Sequence, residues 1–303
     1  MKKRFALGLA AGLGAAMMAA RLSRARLGIS FEDRVVVITG GSRGLGLVLA
    51  RLLVDEGARV VLLARDMTEL ERARVELQAR GRGAVLTLRC DVRRRADVRA
   101  AVDEVIERWR SIDVLINNAG VIQSGPLDTM AREDFENAMG THFWGPLHLI
   151  LETAPVMRHR GFGRIVNIAS IGGRVAVPHL APYSASKFAL IGLSDAVRAE
   201  LDPHGIRVTT VVPGLIRTGS SIPGLTTSPE RAAMKIVDAC RYGDPALTLT
   251  AGAKIAGAAN AVMPASVARA MMLVARLLPA TIGVAGNTVK ESLRLATNSG
   301  APT

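Results

Sequence analysis

At 303 residues the chain is long enough for one large α/β domain or two small ones, and it can bury roughly three quarters of its unfolded surface without a disulfide or metal staple. Apolar residues make up 49% and charged residues 21%, which excludes a disordered chain. The net charge of +13 rests almost wholly on arginine spread along the sequence, and with 3% aromatics there are few stacking platforms, which argues against nucleic acid as a partner.

The chain opens with Met1-Lys2-Lys3-Arg4, runs uncharged from Phe5 to Ala20, and then carries Arg21, Arg24 and Arg26. As a helix the uncharged run would span ~24 Å, short of the ~30 Å hydrocarbon core. A membrane-associating anchor, an ordinary N-terminal helix and a cleaved secretory signal all compete for residues 1–29, and the anchor ranks first. From residue 34 the pattern alternates strand and helix, the signature of a parallel sheet covered on both faces. Strands are expected at 34–39, 59–64, 84–90, 112–117, 164–169, 207–212 and 246–250. Helices are expected at 45–56, 67–80 and 96–110, as one long stretch at 132–157, and at 183–201. Helices follow, broken at Pro264 and Pro279, with the last twenty residues frayed; the stripe from Ser266 to Leu278 could pack on the lid, form a dimer contact or lie on membrane, with core or dimer packing the commonest use. The reading is one doubly wound Rossmann-type α/β domain over residues 30–251, with a helical C-terminal extension over 252–303. Cys90 and Cys240 lie in no CxxC or Cys/His cluster, so they read as reduced core thiols of a cytoplasmic protein, with no metal site.

Three clusters carry chemistry. Thr39-Gly40-Gly41-Ser42-Arg43-Gly44-Leu45-Gly46 joins the first strand to the first helix, where glycines let the backbone turn and approach a pyrophosphate. At the end of the second strand, where NAD sites carry an acid for the ribose, stand Ala64 and Arg65. With Arg43 in the glycine loop, Arg65 favours the 2′-phosphate of NADP (NADPH), while Asp66 one step on keeps NAD open. Third, Tyr183 and Lys187 stand at i and i+4 on one helix face, where the lysine cation is expected to lower the tyrosine pKa. Ser170 ends the fifth strand, placed to hold a carbonyl oxygen.

Thr39-Gly40-x-x-x-Gly44-x-Gly46, Asn117-Asn118-Ala119-Gly120, Ser170, Tyr183-x-x-x-Lys187 and Pro213-Gly214 resemble, in order and spacing, the short-chain dehydrogenase/reductase family, over about Asp33 to Arg241. The resemblance implies a nicotinamide-dependent oxidoreductase that interconverts a carbonyl and a secondary alcohol on a small-molecule substrate, and a homo-oligomer is expected. Tyr183 would be the acid/base, Lys187 would bind the nicotinamide ribose, and Ser170 would polarise the substrate oxygen. Asp91 and Val92 would contact adenine, and Asn118, with Ala119 and Gly120, would hold the fourth strand near the cofactor. Pro213 and Gly214 would pass the nicotinamide, and Ile216 and Thr218 would meet its carboxamide or phosphates.

The chain departs from the family twice. His142 stands where an asparagine usually supports a proton-relaying water. A histidine there either holds a water or shuttles a proton near its pKa of ~6.5, or it is simply a hydrogen-bonded buried ring. The loop after Thr218 is also short, with the next helix beginning near Pro229. A pocket of Val121, Ile122, Ile171, Val175, Val177 and Leu215, with Gln123 and His179 as its polar members, points to a lipophilic substrate. The competing functions are a non-catalytic NADP-binding protein of the same fold and a basic membrane- or nucleic-acid-binding module.

Overall fold

A computed structural model of the chain describes residues 24–81, 83–216 and 226–277. β1 (Val35–Thr39), β2 (Arg59–Ala64), β3 (Val85–Arg89), β4 (Val114–Asn117), β5 (Gly163–Ile168), β6 (Ile206–Val212) and a late strand, Ala246–Thr248, form one parallel sheet. The order is β3-β2-β1-β4-β5-β6 followed by that late strand. The order reverses between β1 and β4, which opens a crevice at the carboxyl ends of those strands.

The helices follow from periodicity. α1 (Gly44–Asp55), α2 (Met67–Gln78) and α3 (Arg95–Trp109) alternate with the first strands. Val36 and Ile38 of β1 point to the face covered by Leu49 and Leu53 of α1 and Leu70 of α2. Val35 and Val37 point to the opposite face, against Val98 and Val102 of α3. A strand buried on both faces has no polar side, which is why β1 reads as an unbroken β-branched run.

The long helical stretch expected at 132–157 is three pieces. α4 (Arg132–Met139) passes through a π-helical turn at Gly140–Trp144 into α5 (Gly145–Arg160). Pro146 sits in the first turn of α5, where its missing N–H costs little, so the helix does not end there. α6 (Ala181–Leu201) follows β5. After β6 a small pair, β7 (Leu215–Ile216) and β8 (Thr226–Thr227), precedes α7 (Pro229–Tyr242). The late strand, β9 (Ala246–Thr248), stops two residues before the expected end because Thr250 caps the next helix, α8 (Ala251–Val262), by accepting from the Ala253 N–H.

Where the described chain begins, Arg24 pairs with Asp238 and Asp244 of the α7 end and lies 4.0 Å over the Tyr242 ring. Arg164, at the start of β5, donates to the Leu27 carbonyl. Residues 24–32 are therefore strapped to the end of the sheet opposite the crevice. The Phe5–Ala20 stretch lies outside the described residues. Among the described residues no helix is long and apolar enough to cross a membrane. None of the residues of the last described helix, α9 (Pro264–Leu277), is buried, and Met272, Leu273 and Leu277 are exposed, so the stripe does not pack on the core of its own chain.

Candidate active site

The crevice is a cleft of about 990 Å³. Its floor is the loop from β1 to α1. Gly40 (φ +62°) and Gly44 (φ +56°) take the left-handed conformation, which side chains disfavour. A Cβ on Gly44 would meet nothing within 4 Å, so that side of the loop is an open cradle. A Cβ on Gly46 would lie 2.2 Å from the Gly40 carbonyl oxygen and 2.7 Å from Asn118 Nδ2. Glycine at 46 thus serves close packing, and glycine at 44 serves close approach. α1 begins at Arg43 with no side-chain cap and no acid in its first turn, leaving its first N–H groups to face an anion.

The end of β4 is tied to this loop. Thr39 Oγ1 accepts from the Asn118 and Ala119 N–H groups, each at 2.9 Å. Asn118 Nδ2 donates to the Thr39 and Gly40 carbonyls at 3.0 and 3.2 Å. Gly40, Ser42, Arg43, Leu45, Arg65, Asp91, Val92, Asn118, Ala119 and Gly120 all line the cleft. The Asp91 carboxyl is held below its ordinary range, chiefly by the Arg93 guanidinium that donates to it.

Asp66 lines the cleft beside Arg65 and is also engaged at the start of α2. Its Oδ1 accepts from the Thr68 and Glu69 N–H groups at 2.8 and 3.0 Å and caps α2. Glu69, which the motif reading missed, lines the cleft and accepts from Ser42 Oγ at 2.9 Å. The spacing Asp66-x-x-Glu69 before a helix was the signal that could have found both residues.

At the other end stand Ser170, Tyr183 and Lys187, with Pro213 and Gly214 beside them. Ser170 Oγ accepts from the Gly172 N–H at 3.1 Å and so starts a short turn of helix over Ile171–Gly173. The Ser170 hydroxyl near Tyr183 favours the phenolate. Burial is the larger effect and raises the Tyr183 pKa above its ordinary value. The shift is therefore upward, against the lowering expected from Lys187, whose Nζ donates to the Ile168 carbonyl at 2.8 Å and lies over the tyrosine ring 5.8 Å from its centre. Burial pushes Lys187 itself down to about 7. Gly172 makes room for this arrangement, since a Cβ there would come 3.1 Å from Tyr183 Cε1.

His142 is buried at 1% exposure in the π turn. Its Nε2 accepts from the Val121 N–H at 3.1 Å, and its Nδ1 lies 2.8 Å from Ser186 Oγ. Burial, aided by the nearby Lys187 charge, pushes the ring down to about 2.

Among the proposed substrate residues, Val121, Ile122, Ile171 and Val177 line the cleft, joined by Leu180, which the sequence reading missed. Val175 is buried off the cleft, and neither Gln123 nor His179 lines it. Gln123 Oε1 and His179 Nδ1 are buried without a partner. Ile216 is placed by its backbone in β7, and Thr218 and the following loop lie outside the described residues, as does the Leu215 side chain. Cys90 reaches the cleft wall, but burial, with Asp97 and Asp91 nearby, pushes its thiol up to about 12, which leaves no reactive thiolate.

Comparison with known proteins agrees with this geometry. Residues 34–224 match the family model of the short chain dehydrogenases. A curated relative, dehydrogenase/reductase SDR family member 7B of Danio rerio, is 37% identical over 225 residues, covering 72% of each chain. A 3-ketodihydrosphingosine reductase of Bacteroides thetaiotaomicron is 36% identical over 188 residues, covering 62% of this chain and 66% of its own. Among solved structures, a variant of actinorhodin polyketide ketoreductase crystallised with NADPH superposes with a TM-score of 0.67 at 32% identity, covering 73% of this chain and 97% of its own. The glycine cradle, the Ser170–Tyr183 pair beside Lys187 and these matches lead to one conclusion: the chain belongs to the short-chain dehydrogenase/reductase family and is a nicotinamide-dependent oxidoreductase.

Proposed function

We propose that the protein reduces a ketone on a lipophilic small molecule at the expense of NADPH, with Tyr183 as the proton donor. The observation that carries this reading is the meeting of Ser170, Tyr183 and Lys187 at one end of the cleft, where burial holds Tyr183 above its ordinary pKa and so in the phenol form. A protonated phenol is ready to give a proton, as carbonyl reduction requires.

When bound, the nicotinamide supplies the hydride that adds to the carbonyl carbon. Tyr183 gives its proton to the carbonyl oxygen, so the product is the neutral alcohol and the tyrosine is left as phenolate. Ser170 hydrogen-bonds the same oxygen and polarises it. Lys187, released from the Ile168 carbonyl, stabilises the phenolate by charge and holds the ribose. Ile216 and Thr218 would meet the cofactor's carboxamide or phosphates.

NADPH is preferred in this reading because Asp66 caps α2, Ala64 offers no carboxylate, and Arg43 and Arg65 border the adenosine end. The NADPH complex of the polyketide ketoreductase supports it. The apolar wall of Val121, Ile122, Ile171, Val177 and Leu180 supports a lipophilic ketone, as does the substrate named for the sphingosine-type relative.

The test is NADPH oxidation with a panel of long-chain and cyclic ketones. Tyr183→Phe should bind NADPH as the parent does and lose ~100- to 10,000-fold in kcat. Near-parental turnover in that variant would place the acid elsewhere, and NADPH bound without turnover of any carbonyl would point to a cofactor-binding protein without catalysis.

A further inference from the structure

His142 lies in the π turn Gly140–Trp144, where the helix departs from α spacing. The protonation of its ring can be read from its partners. A backbone N–H can only donate, so the nitrogen facing Val121, Nε2, is the unprotonated one. In a neutral ring Nδ1 then carries the hydrogen and donates to Ser186 Oγ at 2.8 Å. Ser186 Oγ in turn donates to the Tyr183 carbonyl at 2.9 Å. The bonds therefore run in one direction, from the loop after β4, through the ring, to the turn of α6 that carries the catalytic tyrosine.

The neighbours are shaped for this ring. It meets the Tyr183 ring edge to face, with centres 5.5 Å apart at 87°. A Cβ on Gly120 would stand 3.3 Å from Nε2, so glycine there leaves the imidazole its place. Burial and the Lys187 charge both disfavour the imidazolium.

We propose that His142 is a positioning residue, locked as the Nδ1–H tautomer, that clamps the Val121 loop to Ser186 and fixes the Tyr183 ring in the cleft without itself moving a proton. Both ring nitrogens are already engaged, so the ring has no free site at which to pass a proton to Lys187. An imidazole suits this task because its two nitrogens lie on different edges of one rigid ring, so one side chain accepts from one element and donates to another.

The kinetic arm of the test rests on the reductase reading above, and the spectroscopic arm does not. In the full-length protein with ¹⁵N-labelled histidine, long-range ¹H–¹⁵N spectra should show His142 as the Nδ1–H tautomer, unchanged from pH 5.5 to pH 9. An Nε2–H tautomer, or titration within that range, overturns the assignment. In turnover, His142→Phe and Ser186→Ala should each lower kcat about 10- to 100-fold, the cost of a reacting group misplaced by about an ångström. KM for NADPH should stay within about threefold, and the apparent pKa values of the kcat/KM profile should not move. The double variant should be no worse than the weaker single one, because both changes break one chain of bonds. Loss of a pH limb in His142→Phe would make the ring a proton carrier. Unchanged kcat with only a lowered melting temperature would reduce it to core packing. Ser186→Ala removes a single hydroxyl and keeps the test open if His142→Phe does not fold. A parent protein that turns over no carbonyl would sink the reductase reading and leave the tautomer measurement to decide the role of the ring.

Discussion

The two ends of the cleft are built by different means. The end at the glycine loop, from β1 to β3, is a matter of backbone shape: left-handed glycines, an uncapped helix start and arginines at the solvent boundary. The end that holds Tyr183, from β4 to α6, is a matter of buried polar groups held by partners that the rest of the fold supplies, with Asn117 Oδ1, Gln123 Oε1 and His179 Nδ1 left unpaired. Asn117 donates to Asn167, Asn167 to Ser194, His142 to Ser186 and Lys187 to the Ile168 carbonyl. A shape built from backbone tolerates changes of charge but not an added atom. A network of buried groups tolerates neither the loss of a partner nor a change of protonation.

The sharpest way to break this contrast is at Lys187. Its pKa falls from 10.5 to about 7 on folding, so between those values the unfolded chain binds more protons than the folded one. Stability should therefore rise as pH rises from about 7 to about 10.5, and the penalty is felt in full below 7. At ~1.36 kcal/mol per pKa unit, the swing attributable to this group is on the order of 4–5 kcal/mol. Lys187→Met should flatten that slope in urea unfolding at pH 7, 8.5 and 10. An identical slope in parent and variant would mean that the ammonium is hydrated in solution.

A Cβ added at Gly46 tests the other end. Gly46→Ala must displace the Gly40 carbonyl or the Asn118 amide, an overpacking cost of about 1–3 kcal/mol. NADPH affinity should fall roughly tenfold or more with it, read by quenching of protein fluorescence. Gly44→Ala meets no neighbour and should cost the fold only its left-handed strain, about 1 kcal/mol, while still crowding the cofactor. Equal losses of stability in the two variants would refute the division between packing and approach.

Arg65 should give the smallest effect. It is exposed at the cleft edge, so Arg65→Ala should leave stability within about 0.5 kcal/mol. A charge-assisted bond to a 2′-phosphate contributes roughly 1.5–3 kcal/mol, so the ratio of kcat/KM for NADPH over NADH should fall about tenfold or more. An unchanged ratio would move phosphate recognition to Arg43 or to the loop backbone.

Where the sequence reading succeeded, the signal was local. The run Val35–Thr39 followed by glycines placed β1 and its turn to within a residue. Tyr183 and Lys187 share a helix face because they are four apart, and α6 carries both into the cleft. Where it failed, the deciding partner was distant in the chain. The expected helix at 132–157 gave no sign of its π turn, which is held where His142 reaches Ser186, 44 residues on. Val175 belongs to the expected pocket as an apolar residue after Ser170, yet tertiary packing buries it away from the cleft.

By itself the sequence determined the alternation of strands and helices, the glycine turn and the placing of Tyr183 and Lys187 on one helix face. Each of these depends on residues within one or two turns of one another, where steric and periodic rules act directly. The tertiary structure alone decided that Asp66 caps a helix, that the Tyr183 phenol is raised and not lowered, that Lys187 faces a carbonyl, and which nitrogen of His142 is unprotonated. These are properties of burial and of partners brought from far along the chain. A protonation state is set by the dielectric and the donors around a group, and neither exists until the fold has closed.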